Sequence, residues 1–200
     1  MKEKNKVLVP EHLFLKRAEK EKLLGQKALA LWLTGLPASG KTTTALHLEN
    51  KLHNEGFITK IFDGDIVRAE LNKDLGFSQK DRLLNIERIA LLNTQFLSCG
   101  IIVINCFVSP TKKIRNKARS IIGKKDFIEI YIHCPINICE KRDKKGLYKK
   151  AKKGELKDFT GVNSPYEAPN KPHLTIDTSI NTVDDVVNMI YEYIIKIIKK

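Results

Sequence analysis

The sequence predicts an α/β fold, a parallel sheet with helices on both faces and a long basic lid. Two observations lead there. Short apolar runs alternate with stretches of helical periodicity, the pattern of strands joined by crossover helices. The strongest run, 101–108 (IIVINCFV), is almost unbroken and rich in β-branched residues, as expected of a strand buried on both faces.

Taken in order, residues 1–28 read as an N-terminal extension with helical character around 13–24, and residues 29–200 as one domain. An apolar run at 28–34 (ALALWLT) leads into a glycine-bearing turn and a helical stretch, 42–54, stopped at Gly56. Residues 57–62 form a second strand candidate ending in Asp63-Gly64-Asp65. Ser78 is positioned to cap a helix over 79–98, where Leu83, Ile86, Ile89, Ala90 and Leu97 keep a three-to-four spacing and Gly100 suits the end. A basic helix follows over 110–122, then strands at 127–133 and 174–177. Thr182 with Asp185 caps a last helix over 183–198. Between 144 and 172 periodicity vanishes among Gly146, Gly154, Gly161, Pro165, Pro169 and Pro172, so the stretch reads as a lid.

Composition limits the function classes. The chain is 42% hydrophobic and 30% charged, and it has no run near the roughly 20 apolar residues needed to span a bilayer. Its start is charged throughout, unlike a secretory signal, which points to the cytoplasm. The net charge of +13 raises nucleic acid as a partner, but no aromatic-basic interleaving or recognised module is present. A site for small polyanions on a lysine-rich background accounts for the charge. Cys99, Cys106, Cys134 and Cys139 form no C-x-x-C pair, and three of them sit in apolar runs as small hydrophobes. His12, His47, His53, His133 and His173 share no face or spacing that points to a metal.

Chemistry enters at 35–42. Gly35-Leu36-Pro37-Ala38-Ser39-Gly40-Lys41-Thr42 fits G-x-x-x-x-G-K-S/T between a strand and a helix, the context that makes the match informative. Such a turn aims successive backbone N–H groups at phosphate oxygens, and the helix N-terminus adds positive potential. The domain is thereby a P-loop NTPase-type sheet that binds ATP or GTP. Lys41 is expected at the β/γ-phosphates and the Thr42 hydroxyl at Mg²⁺. The strand over 101–108 ends without a carboxylate, but Asp63 and Asp65 end the neighbouring strand candidate. One can hold magnesium and the other take an acceptor proton.

With these residues in place the chain resembles the adenylylsulfate kinase family from Trp32 to about Thr178. The similarity is carried by WLTGLPASGKTT (32–43), DGDIVRAELNKDLGFSQKDRLLNIER (63–88), FVSP (107–110) and CEKRDKKGLYKKAKKGELKDFTGVNSPYEAP (139–169). The resemblance implies transfer of the ATP γ-phosphate to the ribose 3′-hydroxyl of adenylyl sulfate (APS), giving 3′-phosphoadenylyl sulfate (PAPS), with Mg²⁺ and in a homodimer.

By motif, the resemblance makes Asp65 the catalytic carboxylate, with Asp63 assisting at the metal and Thr43 and Arg142 joining the ATP side. It assigns Arg68, Arg82 and Asn85 to the acceptor's anionic part and Phe77 and Phe159 to its adenine. Thr160, Val108, Ser109 and Lys145 complete the acceptor pocket. Some family members carry an assigned phosphoserine at the position of Ser109, although direct in-line transfer needs no covalent intermediate. Lysines dominate 144–157, seven against the single acid Glu155, so the lid can close over two anions.

Three departures, Ile66, Thr111 and 84–87, fall on the acceptor side. They keep open a related kinase acting on another nucleotide, such as cytidine diphosphoramidate. A nucleotide-binding protein with lapsed catalysis is the third reading, and the presence of Asp65, Lys41 and the lid speaks against it.

Overall fold

The computed structural model describes residues 14–199, so the start of the extension, Leu13 included, lies outside the described residues. Five parallel strands form one sheet in the order β2-β3-β1-β4-β5, with β1 Ala30–Thr34, β2 Thr59–Asp63, β3 Ile102–Cys106, β4 Phe127–His133 and β5 Leu174–Asp177. The register pairs Leu31 with Ile104 on β3 and with Ile128 on β4, so residues of like facing align across the sheet.

That alternation builds two cores. One face (Leu31, Leu33, Ile104, Ile130) is covered by α2 Lys41–Asn54 and α8 Val183–Ile198. The other (Ala30, Trp32, Val103, Phe127) is covered by α4 Gln79–Ser98 and α5 Lys112–Ile122. This is the doubly covered parallel sheet expected from the strand composition. Buried on the second face, the side-chain amides of Asn93 and Asn105 bond each other, and Asn105 also donates to the Leu31 carbonyl; their polar atoms are thereby satisfied.

The caps are those the sequence indicates. Ser78 Oγ accepts from the Asp81 N–H, and Thr182 with Asp185 closes a capping box at α8. Helix α5 starts at Lys112, two residues later than Pro110, because Thr111 takes the N-cap.

Three short helices go beyond the sequence reading. α3 Gly64–Ala69 begins directly at the Asp-Gly-Asp segment, α6 Ile136–Arg142 precedes the lid, and α7 Leu147–Lys152 lies inside the stretch read as aperiodic. At six or seven residues each they make fewer than two turns, too few to display a 3.6-residue period.

Helix α1 Arg17–Leu24 and the residues after it pack on the domain. Arg17 reaches both carboxylate oxygens of Asp126 and the Ala28 carbonyl. Buried Gln26 donates to the carbonyls of Ile58 and Gly100 and accepts from the Ile58 N–H. Cys106, Cys134 and Cys139 are buried and Cys99 is exposed. Among the described residues no helix is long and apolar enough to cross a membrane.

Candidate active site

The turn 35–42 joins β1 to α2 at the C-terminal edge of the sheet. Gly35 is required by space: a Cβ there would lie 2.3 Å from the Ile132 carbonyl oxygen. Gly40 caps α2 at φ 98°, a left-handed conformation that glycine adopts without strain. Lys41 folds back over the turn, its Nζ donating to the carbonyls of Gly35 (3.0 Å) and Leu36 (2.7 Å). Burial pushes its amine down to about 8.

The rest of the turn is tied to its surroundings. The Tyr148 hydroxyl, from α7, donates to the Pro37 carbonyl. Leu36 and Ala38 pack against the small cluster of Cys134, Cys139 and Tyr148. The Ser39 carbonyl accepts from Thr178 Oγ1, and Arg142 donates to the Thr178 hydroxyl and carbonyl. Arg142 is thus linked to the turn through one residue. Thr43 is exposed on the first turn of α2.

Asp63 stands at the end of β2 with both carboxylate oxygens engaged. Oδ2 accepts from the Thr42 hydroxyl at 2.7 Å, and Oδ1 caps α3 by accepting from the Asp65 N–H at 2.9 Å. The cap sends the Asp65 side chain into solvent, where the lid residue Lys145 pairs with it. That pairing holds the Lys145 amine above its ordinary value.

Beyond the aspartates, Arg68 and Arg82 flank the half-exposed ring of Phe77, with guanidinium carbons 4.5 and 5.7 Å from its centroid. Arg68 also donates to the Gly76 carbonyl, and Arg82 to the Phe77 carbonyl, the Asp158 carbonyl and Thr160 Oγ1. Arg82 therefore fastens α4 to the lid. Burial, and after it the nearby charge of Arg82, hold Arg68 below its ordinary value.

Not every sequence-derived candidate joins this group. Asn85 is buried and its side-chain oxygen accepts from Asn72. Phe159 packs edge to face on Tyr148 at 5.0 Å, while arginines cover Phe77. Ser109 is only 4% exposed; its hydroxyl accepts from Trp32 Nε1 and donates to Thr34 Oγ1. Val108 offers its carbonyl to the Thr34 hydroxyl at 2.7 Å.

Sequence reasoning passed over the residues that hold these loops. Thr34 and Tyr166, neither a candidate from the sequence, extend the Ser109 hydroxyl into one chain, with Tyr166 OH 3.0 Å from Thr34 Oγ1. Arg115 is buried on α5 and bonds Glu129, the Ser109 carbonyl and the Glu167 carbonyl. A signal for Arg115 did exist: it lies three residues before Ala118 and seven before Ile122, on the apolar face of a basic helix.

A phosphate-binding turn, one carboxylate ending β2 and a second opening α3, and a paired-arginine platform tied to a lid are the arrangement of a nucleotide-dependent phosphotransferase. A family model for adenylylsulphate kinase matches residues 27–177. An adenylyl-sulfate kinase of Clostridium acetobutylicum is 51% identical over 180 residues, covering 90% of each chain. One from Bacteroides thetaiotaomicron is 46% identical over 200 residues, covering 100% of each. Among solved structures, the Mycobacterium tuberculosis APS kinase CysC in complex with AMPPNP and APS is similar with a TM-score of 0.80 and 37% identity, over 83% of this chain and 96% of that one. With a family model spanning most of its length and relatives near half identity across it, the chain belongs to the adenylylsulfate kinase family.

Proposed function

We propose that this protein transfers the γ-phosphoryl group of ATP to the ribose 3′-hydroxyl of adenylyl sulfate, forming PAPS and ADP. The observation that carries the reading is the position of Asp63 and Asp65: one bonds the phosphate turn through Thr42, and the other pairs with Lys145 of the lid and is close enough to act on the charge of Arg68. Donor and acceptor chemistry therefore meet at a single two-residue cap.

In this reading the backbone N–H groups of the turn and Lys41 hold the triphosphate. Lys41 now spends its protons on two loop carbonyls, and a bound phosphate would take their place. Arg142 serves the ATP side through its tie to Thr178. The Thr42 hydroxyl and the Asp63 carboxylate are hard oxygen donors in contact with each other, a set that suits Mg²⁺. When bound, that ion would neutralise charge on the β- and γ-phosphates.

Arg68 and Arg82 are the cations for the acceptor's phosphosulfate, and an anion between them would relieve their mutual repulsion. Phe77, Phe159, Thr160, Val108, Ser109 and Asn85 shape the rest of that pocket. Asp65 takes the proton of the 3′-hydroxyl as its oxygen bonds phosphorus and the bridging oxygen leaves with ADP. Lys145 must yield Asp65, or share it, when the acceptor arrives. The reading includes a cytoplasmic homodimer with residues 29–200 as the kinase domain; light scattering would test the dimer.

The test is a coupled ADP-release assay over a panel of acceptors. Adenylyl sulfate is expected to support turnover, and cytidine diphosphoramidate is not. Turnover on the latter alone would transfer the site to a different nucleotide. ATP-protected melting with no turnover on any acceptor would leave only a binding protein.

A further inference from the structure

We infer that Arg115 is a positioning residue for the acceptor half of the site: its guanidinium fixes the loop after β3 to the end of the lid. The inference rests on the acceptor reading above for its kinetic consequence, but its structural content stands alone. Arg115 is 2% exposed and lies at the first turn of α5, away from the phosphate turn's own contacts.

The guanidinium distributes its donors over three chain segments. Nε bonds the Glu129 carboxylate on β4 at 2.8 Å. Nη1 donates to the Ser109 carbonyl at 2.8 Å, and Nη2 to the Glu167 carbonyl at 2.7 Å. Its central carbon lies over the Tyr166 ring, 5.8 Å from the centroid. Each carbonyl belongs to a loop with no regular structure of its own, one after β3 and one closing the lid. The two loops also meet directly, through the Glu167 N–H to the Pro110 carbonyl and the Glu167 carboxylate to the Lys112 N–H.

Ser109 makes this tie more than scaffolding. Its φ of 37° lies in the left-handed region, which a side chain adopts only when the surroundings hold it there. The holding contacts are Trp32 and Thr34 at the hydroxyl and Arg115 at the carbonyl. The same loop presents Val108 to the proposed acceptor pocket, and the same lid end continues from Thr160. A planar group with fixed donor directions can set both loops at once, which a lysine ammonium, as a point charge, cannot. Glu129 supplies the opposite charge and orients the fork, so burial of Arg115 is compensated.

The experiment compares Arg115→Met and Arg115→Lys with the unaltered protein, measuring KM for ATP, KM for adenylyl sulfate, kcat, and amide hydrogen exchange. Loss of charge-assisted bonds predicts a rise of roughly tenfold or more in KM for adenylyl sulfate in Arg115→Met, with KM for ATP within about twofold. Arg115→Lys should recover part of the loss. Exchange should quicken at 108–110 and 165–168 and stay unchanged at 36–43. Equal changes in both KM values, or a lower melting temperature with both unchanged, would overturn the inference. Should Arg115→Met fail to fold, Arg115→Lys carries the same split. If the unaltered protein does not use adenylyl sulfate, the functional reading fails, and the exchange pattern still decides the role of Arg115.

Discussion

The phosphate turn and the lid treat their lysines in opposite ways. Lys41 is buried, bonded to two backbone carbonyls and set on a turn where Gly35 leaves no room for a Cβ. The lid's Lys144, Lys149, Lys150, Lys153 and Lys157 are exposed, and Lys145 reaches across solvent to Asp65. The donor half is thus built into the sheet's edge and arrives pre-organised. The acceptor half, in the proposed function, is assembled from Arg68 of α3, Arg82 of α4 and Phe77 between them, with a loop after β3 and the lid. A binding site for a triphosphate common to many enzymes can be rigid; a site that closes over a particular second substrate needs parts that come together.

The largest test of this contrast is Asp65→Ala. It should abolish turnover while leaving ATP binding within about twofold, because the Asp65 carboxylate pairs with Lys145 and its N–H bonds Asp63, neither of which belongs to the turn. Equal loss of ATP affinity, read by calorimetry, would place Asp65 in the donor half. Lys41→Ala comes next. Removal of one electrostatic contact to the transferring group should cost about 3 kcal/mol, roughly a hundredfold in kcat. A much smaller effect would mean the folded-back amine never leaves its carbonyls.

A smaller effect, and one on stability, is expected of Gly35→Ala. The added carbon meets a backbone oxygen that cannot step aside, so thermal or urea unfolding should show a loss of about 1–3 kcal/mol. The same substitution at Gly154, where nothing lies within 4 Å but φ is 78°, should cost less.

Proton linkage gives the smallest signal. Burial lowers Lys41 from its ordinary 10.5 to about 8, so between those values the unfolded chain binds more protons, and this group adds stability as pH rises through that window. ATP reverses the preference by favouring the charged amine. Binding at pH 8 should therefore take up as much as about half a proton, seen as a dependence of binding heat on buffer ionisation. Lys41→Met should remove it, and an unchanged uptake in that variant would assign the proton elsewhere.

The same contrast explains what was legible in the sequence. The donor half is local: eight consecutive residues, a strand before and a helix after, with the glycine spacing dictated by backbone geometry. The strands and long helices were equally plain, because α4 and α8 are long enough to show their period and carry their caps in sequence. The short helices α3, α6 and α7 were not, since each is stabilised by contacts from elsewhere, such as Tyr148 on the Pro37 carbonyl. Arg68 and Arg82 were flagged by resemblance alone, for nothing in their neighbours shows that Phe77 joins them. Arg115 was hidden by being one cation in a basic helix, and its burial depends on Glu129 and Glu167, which are 14 and 52 residues away.

One measurement bears most directly on the whole account: product analysis by phosphorus NMR after incubation with ATP, magnesium and adenylyl sulfate. The expected products are ADP and a nucleotide bearing a new monoester at the ribose 3′ position, in equal amounts and dependent on Asp65. ADP formed without a phosphorylated acceptor, or a phosphate attached at any other position, would contradict it.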